Sequence, residues 1–455
     1  MKTTKVSSAA SRDGFGSSLG AFTATVASAV GLGNIWKFPF LAGVNGGAAF
    51  VITYLAAVAL VGLPILVAEH AIGRRMRANA VDAYSRVVPG QGAWSLIGYA
   101  GIAAAFLIMA FYTDVAGWVF AYIPKTIAAA VSGRGPLGPE AFGALSSGTW
   151  EPLAWQAGAL VFIAAIVAGG VGKGIERATK FTMPVLLVLL LICDIRALTL
   201  PGAFAGVEFL FAPDFSKLSG SVVLSALGLA FFKLSLGMGT MTTYGSYMPD
   251  STRIVPNATR VALADTLVSV LAGLAIFPAV FAFGFEPSAG PSLLFVSIPA
   301  VFSKMPFGGA FTAIFFSLAA LAATGAMISL FEVPVAWLAE KLKLSRRRAA
   351  VLTAAAMFAL GVPATLSLGP IADFKVFGLG VFDLFDYVQQ NLILPLGGLA
   401  IALVAGWRLK KGELSAELAK GGGSRADGFV LAFVRFVAPA LIVLVFLNGL
   451  GVFGK

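Results

Sequence analysis

The chain has 455 residues, of which 58% are hydrophobic and 12% charged, with a net charge of +11. Apolar runs longer than about 18 residues recur along it, which excludes a soluble globular domain and defines an all-α polytopic membrane protein. The positive charge does not indicate nucleic-acid binding, because Lys and Arg gather in short segments between apolar spans, as the positive-inside rule expects.

Residues 1–14 are polar, lack a signal-peptide pattern and are placed in the cytoplasm. Eleven spans follow. Helix 1 is predicted over about 15–41 and helix 2 over about 48–72, and Arg74, Arg75, Arg77 and Arg86 then mark a cytoplasmic loop. Helix 3 covers about 93–124, followed by an outer loop poor in charge. Helix 4 (about 153–171) and helix 5 (about 178–199) flank Lys173, Glu176, Arg177 and Lys180 on the inside. Helix 6 runs over about 219–248 and helix 7 over about 257–285, with a small re-entrant helix expected within 290–306. Helix 8 (about 309–341) and helix 9 (about 348–366) are separated by Lys341 to Arg348, the strongest inside signal. Helix 10 covers about 379–408, residues 409–427 form a flexible cytoplasmic linker with Gly421-Gly422-Gly423, and residues 428–455 carry helix 11. An odd number of spans puts the C-terminus outside.

Two spans are interrupted. Helix 1 carries Gly31, Gly33 and Asn34, and helix 6 carries Phe232-Lys233-Leu234-Ser235-Leu236-Gly237-Met238-Gly239. These residues favour a break, and a break in hydrocarbon survives only where freed backbone groups face protein, a cavity or a ligand. Residues 15–199 and 219–408 can be overlaid as two five-helix repeats whose breaks coincide, which points to an inverted repeat with a binding site near the bilayer midplane.

The run Ala29-Val30-Gly31-Leu32-Gly33-Asn34-Ile35-Trp36-Lys37-Phe38-Pro39, with Asn45-Gly46-Gly47, Gly62-Leu63-Pro64, Glu69 and Gly174-Ile175-Glu176-Arg177, closely resembles the neurotransmitter:sodium symporter family over nearly the whole chain. Eleven helices match a bacterial variant, so the resemblance implies a multi-pass protein of a bacterial inner membrane. It implies alternating-access transport of an amino acid or close analogue, held between the two breaks. The substrate carboxylate would meet the N–H groups of Leu32 and Gly33 and the Tyr112 hydroxyl, and a half-helix N-terminus suits an anion. Gly31 stands where monoamine transporters carry aspartate, which favours a substrate with its own carboxylate. Ala29, Ile108, Phe232, Ser235, Met238, Ala326 and Leu330 would complete an apolar pocket. Lys37 with Asp386 matches the outer gate, and Arg12 with Glu340, beside Phe15 and Tyr247, the inner one. The Gly174–Pro184 spacing would let the start of helix 5 unwind.

The resemblance also exposes departures. Its first sodium site would comprise Ala29, Asn34, Asp265 and a helix 6 hydroxyl, but that last position is Lys233. An ammonium offers only donors and cannot ligate sodium; it would take the ion's place, bridging Asp265 and the substrate carboxylate. A lysine at mid-span costs roughly 3 kcal/mol on insertion scales, which argues for a function. The second site would use carbonyls of Ala27 and Val30, but its two hydroxyl positions fall on Gly325 and Ala326, with Thr324 one residue away. A hard cation needs a dense oxygen shell. Tyr54 and Ser269 match the chloride region, but Leu229 replaces its glutamine, so chloride dependence is not expected. The expected partners are a small-molecule substrate and the lipid bilayer, with no nucleic acid. Transport is expected to be sodium-independent, with proton linkage open. A sodium symporter using the second site alone and an amino-acid-binding receptor are the alternatives.

No nucleophile–base motif or metal cluster lies among the spans, so no enzyme activity, cofactor or metal centre is expected. Glu69 and Glu332 are expected to be structural and His70 to lie at the surface. Asp114 is expected to line a cavity or a helix contact, Asp194 and Arg196 to snorkel at the interface, and Cys193 to fill core.

Overall fold

The computed structural model describes residues 13–88, 90–133, 137–284, 293–410 and 412–452. Arg12, expected at the inner gate, lies outside these residues. Among them, nine helices are long and apolar enough to cross a membrane. They are Ala48–Met76 (helix 2), Gly92–Val131 (helix 3), Trp150–Ala168 (helix 4), Val171–Leu198 (helix 5), Ile254–Ala282 (helix 7), Gly308–Lys341 (helix 8), Arg346–Leu366 (helix 9), Val381–Arg408 (helix 10) and Asp427–Gly449 (helix 11). Helix 1 is a tenth, formed by Ser18–Ala29 and Gly33–Val44 with a 48° bend between them. A count of eleven also requires joining Gly220–Lys233 to Thr240–Tyr247 as helix 6. Helix 8 is the most enclosed, with 83% of its most apolar stretch buried, whereas the figure for helix 11 is 28%. Helix 8 therefore runs through the interior of the bundle, and helix 11 packs at the periphery.

The helix 6 break needs backbone conformations that a β-carbon disfavours. Ser235, Gly237 and Gly239 have φ of 53°, 76° and 75°. Gly237 also lies backbone to backbone on helix 10, and a β-carbon there would sit 2.6 Å from the Leu394 carbonyl oxygen. The second half of helix 6 is capped from helix 2. The Glu69 carboxylate accepts from the Gly237 N–H at 2.8 Å, the Thr242 N–H at 3.2 Å and the Thr242 hydroxyl at 3.0 Å. A negative charge at a half-helix N-terminus is favourable.

The same contact corrects the placement of His70, which is fully buried. Helix 2 presses on the second half of helix 6 through glycines. A β-carbon at Gly73 would meet the Thr242 oxygen at 2.0 Å, and one at Gly245 would meet the His70 oxygen at 2.6 Å. No polar surface remains at His70. Asp194 is also corrected, being 4% exposed. It shares a helical stripe with the buried Leu186, Leu190, Cys193 and Ala197, which faces the bundle. Arg196 ends the helix and donates to Thr199 at 3.2 Å.

The linker after helix 10 is not simply flexible. Glu413–Ala419 forms a helix, and its buried Glu417 accepts from Arg74 Nε at 2.6 Å. Lys420 pairs with Glu417 at 2.8 Å, and Arg75 with Glu413 at 2.8 Å. The carbonyls of Gly422 and Gly423 accept from Arg253.

Candidate functional site

The break in helix 1 frees backbone groups, and side chains of helix 1 itself, helix 3 and helix 6 satisfy them. The Gly31 N–H donates to Asn34 Oδ1 at 3.1 Å, and the Leu32 N–H donates to the Tyr112 hydroxyl at 2.9 Å. The Ser28 carbonyl accepts from the Ser235 hydroxyl at 3.0 Å. The two breaks thus bond to each other directly, with helix 3 supplying the third partner.

Between them lies a cavity of about 30 Å³, room for roughly two waters. It is lined by Ala29, Gly31, Gly33, Ile108, Tyr112, Phe232, Lys233, Ser235, Met238, Ala326 and Leu330, which are all the residues expected there except Leu32. Ser28 lines it as well. Leu32 faces a second cavity of about 160 Å³, bounded by Trp36, Lys37, Phe111, Phe382 and Asp386. Gly33, Tyr112 and Phe232 line both, so the two rings separate one cavity from the other.

Sequence reasoning missed the floor of the inner cavity. The Ser28 hydroxyl lies 3.2 Å from Ser235 and 2.8 Å from Ser329, joining helices 1, 6 and 8. The available signal was weak: Ser28 precedes the helix 1 motif, and Ser329 is one of several hydroxyl residues in an apolar helix.

Lys233 and Asp265 are fully buried, with Nζ 3.1 Å from Oδ2. Nζ also donates to the Tyr54 hydroxyl at 3.0 Å and to Ser269. Tyr54 donates to Asp265 Oδ2 at 2.8 Å, and Asn34 Nδ2 donates to Oδ1 at 2.7 Å. The ammonium has three donors, and all are used here. The expected bridge to a substrate carboxylate is therefore only half present. The lysine stem lines the cavity, but its charge turns to Asp265 and to the chloride-region residues Tyr54 and Ser269. Nζ also lies 4.9 Å from the Phe38 ring centroid and 4.5 Å from that of Tyr54.

At the second expected ion position helices 1 and 8 touch. A β-carbon at Gly325 would lie 2.4 Å from the Ala27 carbonyl oxygen, so a larger side chain does not fit. The buried Thr324 hydroxyl donates to the Ala320 carbonyl of its own helix at 2.7 Å. Ala326 faces Gly31 across the cavity.

Described residues of both expected gates are in contact with neighbouring elements. At one mouth Lys37 lies 3.5 Å from Asp386, donates to Gln390 and sits 4.4 Å from the Phe232 ring centroid. At the other, Phe15 donates its N–H to the Tyr247 carbonyl at 3.0 Å and packs edge-on against Tyr244 and Tyr247. The Tyr247 hydroxyl donates to Glu332 at 2.6 Å, and Arg346 pairs with Glu332 at 2.6 Å. Glu340 accepts from the Asn79 N–H at 3.0 Å and from its side chain at 2.9 Å. Glu176 ties the start of helix 1 to helix 5, accepting from the Gly16 N–H at 2.7 Å. Asp114 is buried beside Thr365, between helices 3 and 9.

The family model described as the sodium:neurotransmitter symporter family matches residues 12–132 and 146–454. The chain belongs to this family. It is thus a multi-pass membrane protein of a secondary-transporter family, not of an enzyme family, and it has bacterial relatives. It is 41% identical over 442 residues to the uncharacterized sodium-dependent transporter YhdH of Bacillus subtilis, covering 96% of this chain and 97% of that one. An uncharacterized sodium-dependent transporter of Haemophilus influenzae is 37% identical, covering 94% and 96%. The crystal structure of MhsT in complex with L-phenylalanine superposes with a TM-score of 0.89 at 42% identity, covering 96% of this chain and all of that one. The symporter fold of the family is therefore the fold of this chain.

Proposed function

We propose that this family member moves an amino acid or close analogue by alternating access, and that Lys233 replaces the sodium ion of the first site. The observation that carries the reading is the buried Lys233–Asp265 pair, with all three ammonium donors used inside the protein. A fixed cation beside Asp265 supplies the charge a dissolved ion would bring, and it leaves no open oxygen shell there for sodium. The same pair argues against a need for chloride, since the Asp265 carboxylate stands next to Tyr54 and Ser269.

The substrate carboxylate is assigned to the N–H groups of Leu32 and Gly33 and to Tyr112, as an anion at a half-helix start. Its amine is assigned to the Ser28 and Ser235 side, and its side chain to Ile108, Phe232, Met238 and Leu330. The L-phenylalanine bound to MhsT supports an amino acid as substrate. Phe232 and Tyr112 must move to admit it, because they line both cavities.

Uptake into proteoliposomes with sodium replaced by choline tests the proposal, with a proton gradient as a second arm. Transport that persists in choline is expected, and transport abolished there refutes the sodium-free reading. Lys233→Thr supplies the hydroxyl that relatives use, so substrate binding by this variant should become sodium-dependent. Unchanged binding without sodium would remove Lys233 from the role.

One other reading has support. Relatives carry the description sodium-dependent, and the Ala27 and Val30 carbonyls remain for a second site. Against it stand the close approach of Gly325 to Ala27 and the inward turn of the Thr324 hydroxyl. The choline experiment separates the two.

A further inference from the structure

A groove of about 430 Å³ lies where helices 1 and 7 begin, apart from the pocket and the gates. Leu19 and Phe22 of helix 1 form one wall, and Arg253, Asn257 and Arg260 the other. Asn257 is only 7% exposed, yet its Nδ2 has no hydrogen-bond partner among the described residues. A buried amide donor left unpaired in a polar groove points to a ligand acceptor. Arg260 is exposed and makes no ion pair or hydrogen bond among the described residues. Arg253 donates only to the carbonyls of Gly422 and Gly423, so its charge is not neutralised by a carboxylate. Among the described residues, no acidic side chain lines the groove. Helix 7 is 29 residues long, and no side chain caps its first turn, which adds free N–H groups and the positive end of its dipole.

Beyond the groove, the face of helix 7 that carries Arg260 turns apolar. Arg260, Leu263 and Leu267 share one helical face, and the two leucines are 65% and 54% exposed. Leu19, which lines the groove from helix 1, is 61% exposed. An anion-binding end continued by a lipid-facing apolar strip suits a molecule with a charged head and hydrocarbon tails. A free phosphate would make no use of the leucines.

We propose that this groove binds an anionic phospholipid, with the headgroup phosphate among Arg253, Asn257 and Arg260 and the acyl chains along Leu263 and Leu267. Such a lipid bridges the first turns of helices 1 and 7.

The test uses the full-length protein in detergent, exchanged with phosphatidylglycerol or phosphatidylcholine and examined by native mass spectrometry. Retention of phosphatidylglycerol over phosphatidylcholine is expected. Arg260→Gln should lower it about fivefold, the usual contribution of one basic residue near an anionic surface. Asn257→Leu should lower it without changing the charge, whereas Arg86→Gln, in the loop after helix 2, should leave it unchanged. Equal retention by the wild type and a folded Arg260→Gln variant overturns the proposal, and so does an equal loss from Arg86→Gln. Displacement of the lipid by millimolar inorganic phosphate would instead make this a soluble-anion site and overturn the lipid assignment. A thermal-unfolding midpoint for each variant confirms folding, and Arg260, being exposed, keeps the test decisive if Asn257→Leu does not fold.

Discussion

Lys233 with Asp265 and Lys37 with Asp386 are the same two residue types in two surroundings. The first pair is completely buried at 3.1 Å, and the second, at 3.5 Å, has side chains 20% and 37% exposed. The inner pair is hemmed in by Tyr54, Asn34 and Ser269, so both charges have partners inside the protein. The outer pair is wetted and shares its lysine with Gln390 and the Phe232 ring. Burial makes the first pair costly to break. Exposure leaves the other worth about 1 kcal/mol or less.

The largest effect should come from breaking the inner pair from one side. Lys233→Met leaves Asp265 charged, buried and without its cation, which costs about 3–5 kcal/mol. A large fall in the thermal-unfolding midpoint in detergent is the readout. Adding Asp265→Asn removes the stranded charge and should recover much of the loss. A double variant no more stable than Lys233→Met would mean that the two side chains do not act as a pair.

Arg74 and Glu417 extend the comparison to the end where the linker docks. Their side chains are 0% and 1% exposed. Arg74 also donates to the Thr252 and Glu417 carbonyls. Arg74→Gln should cost less than Lys233→Met, about 1–3 kcal/mol, because Lys420 still pairs with Glu417. The loss should appear locally as faster hydrogen exchange across Glu413–Ala419, without the effect on substrate binding expected at Lys233. Unaltered exchange there would show that the linker helix is held by something else.

These two pairs also mark what was legible in the sequence. Gly31, Gly33 and Asn34 advertise the first break because they are poor helix formers inside an apolar run. Lys233 is visible because a charge in such a run is costly. Its exact aim was not visible, since a lysine stem reaches several directions and only the packed structure shows Tyr54 and Ser269 taking its donors. Arg74 was read as one more basic residue on a cytoplasmic loop, because the positive-inside pattern counts charges without naming partners. His70 was misplaced for a related reason: the glycines that bury it, Gly73 and Gly245, act through contacts between two helices that sequence spacing does not reveal. Ser28 and Ser329 were silent because a serine in an apolar helix can simply bond its own backbone, and Ser329 does so, donating to Ala326 at 2.8 Å.

A smaller effect belongs to the second expected ion position. Gly325→Ser restores an oxygen to helix 8 but sets its β-carbon against the Ala27 carbonyl. Overpacking of this kind costs about 1–3 kcal/mol. The variant should be less stable, and sodium should not restore its midpoint. A sodium-dependent rise would show that helices 1 and 8 part easily enough to rebuild the site, which would favour the sodium-coupled reading.

The smallest effect on stability should come from the outer pair. Lys37→Met removes one member of a half-wet ion pair, a contact worth about 1 kcal/mol or less. The midpoint should barely change, and raising the salt should weaken the wild-type pair toward the variant, because exposed charges are screened over about a Debye length. The lysine also lies against Phe232, one of the two rings between the cavities, so its loss should act on closure more than on folding. Substrate dissociation should quicken while stability stays within about 1 kcal/mol of wild type. The opposite pattern, a large fall in midpoint with an unchanged dissociation rate, would place Lys37 with Lys233 as a structural charge and erase the distinction between the two pairs.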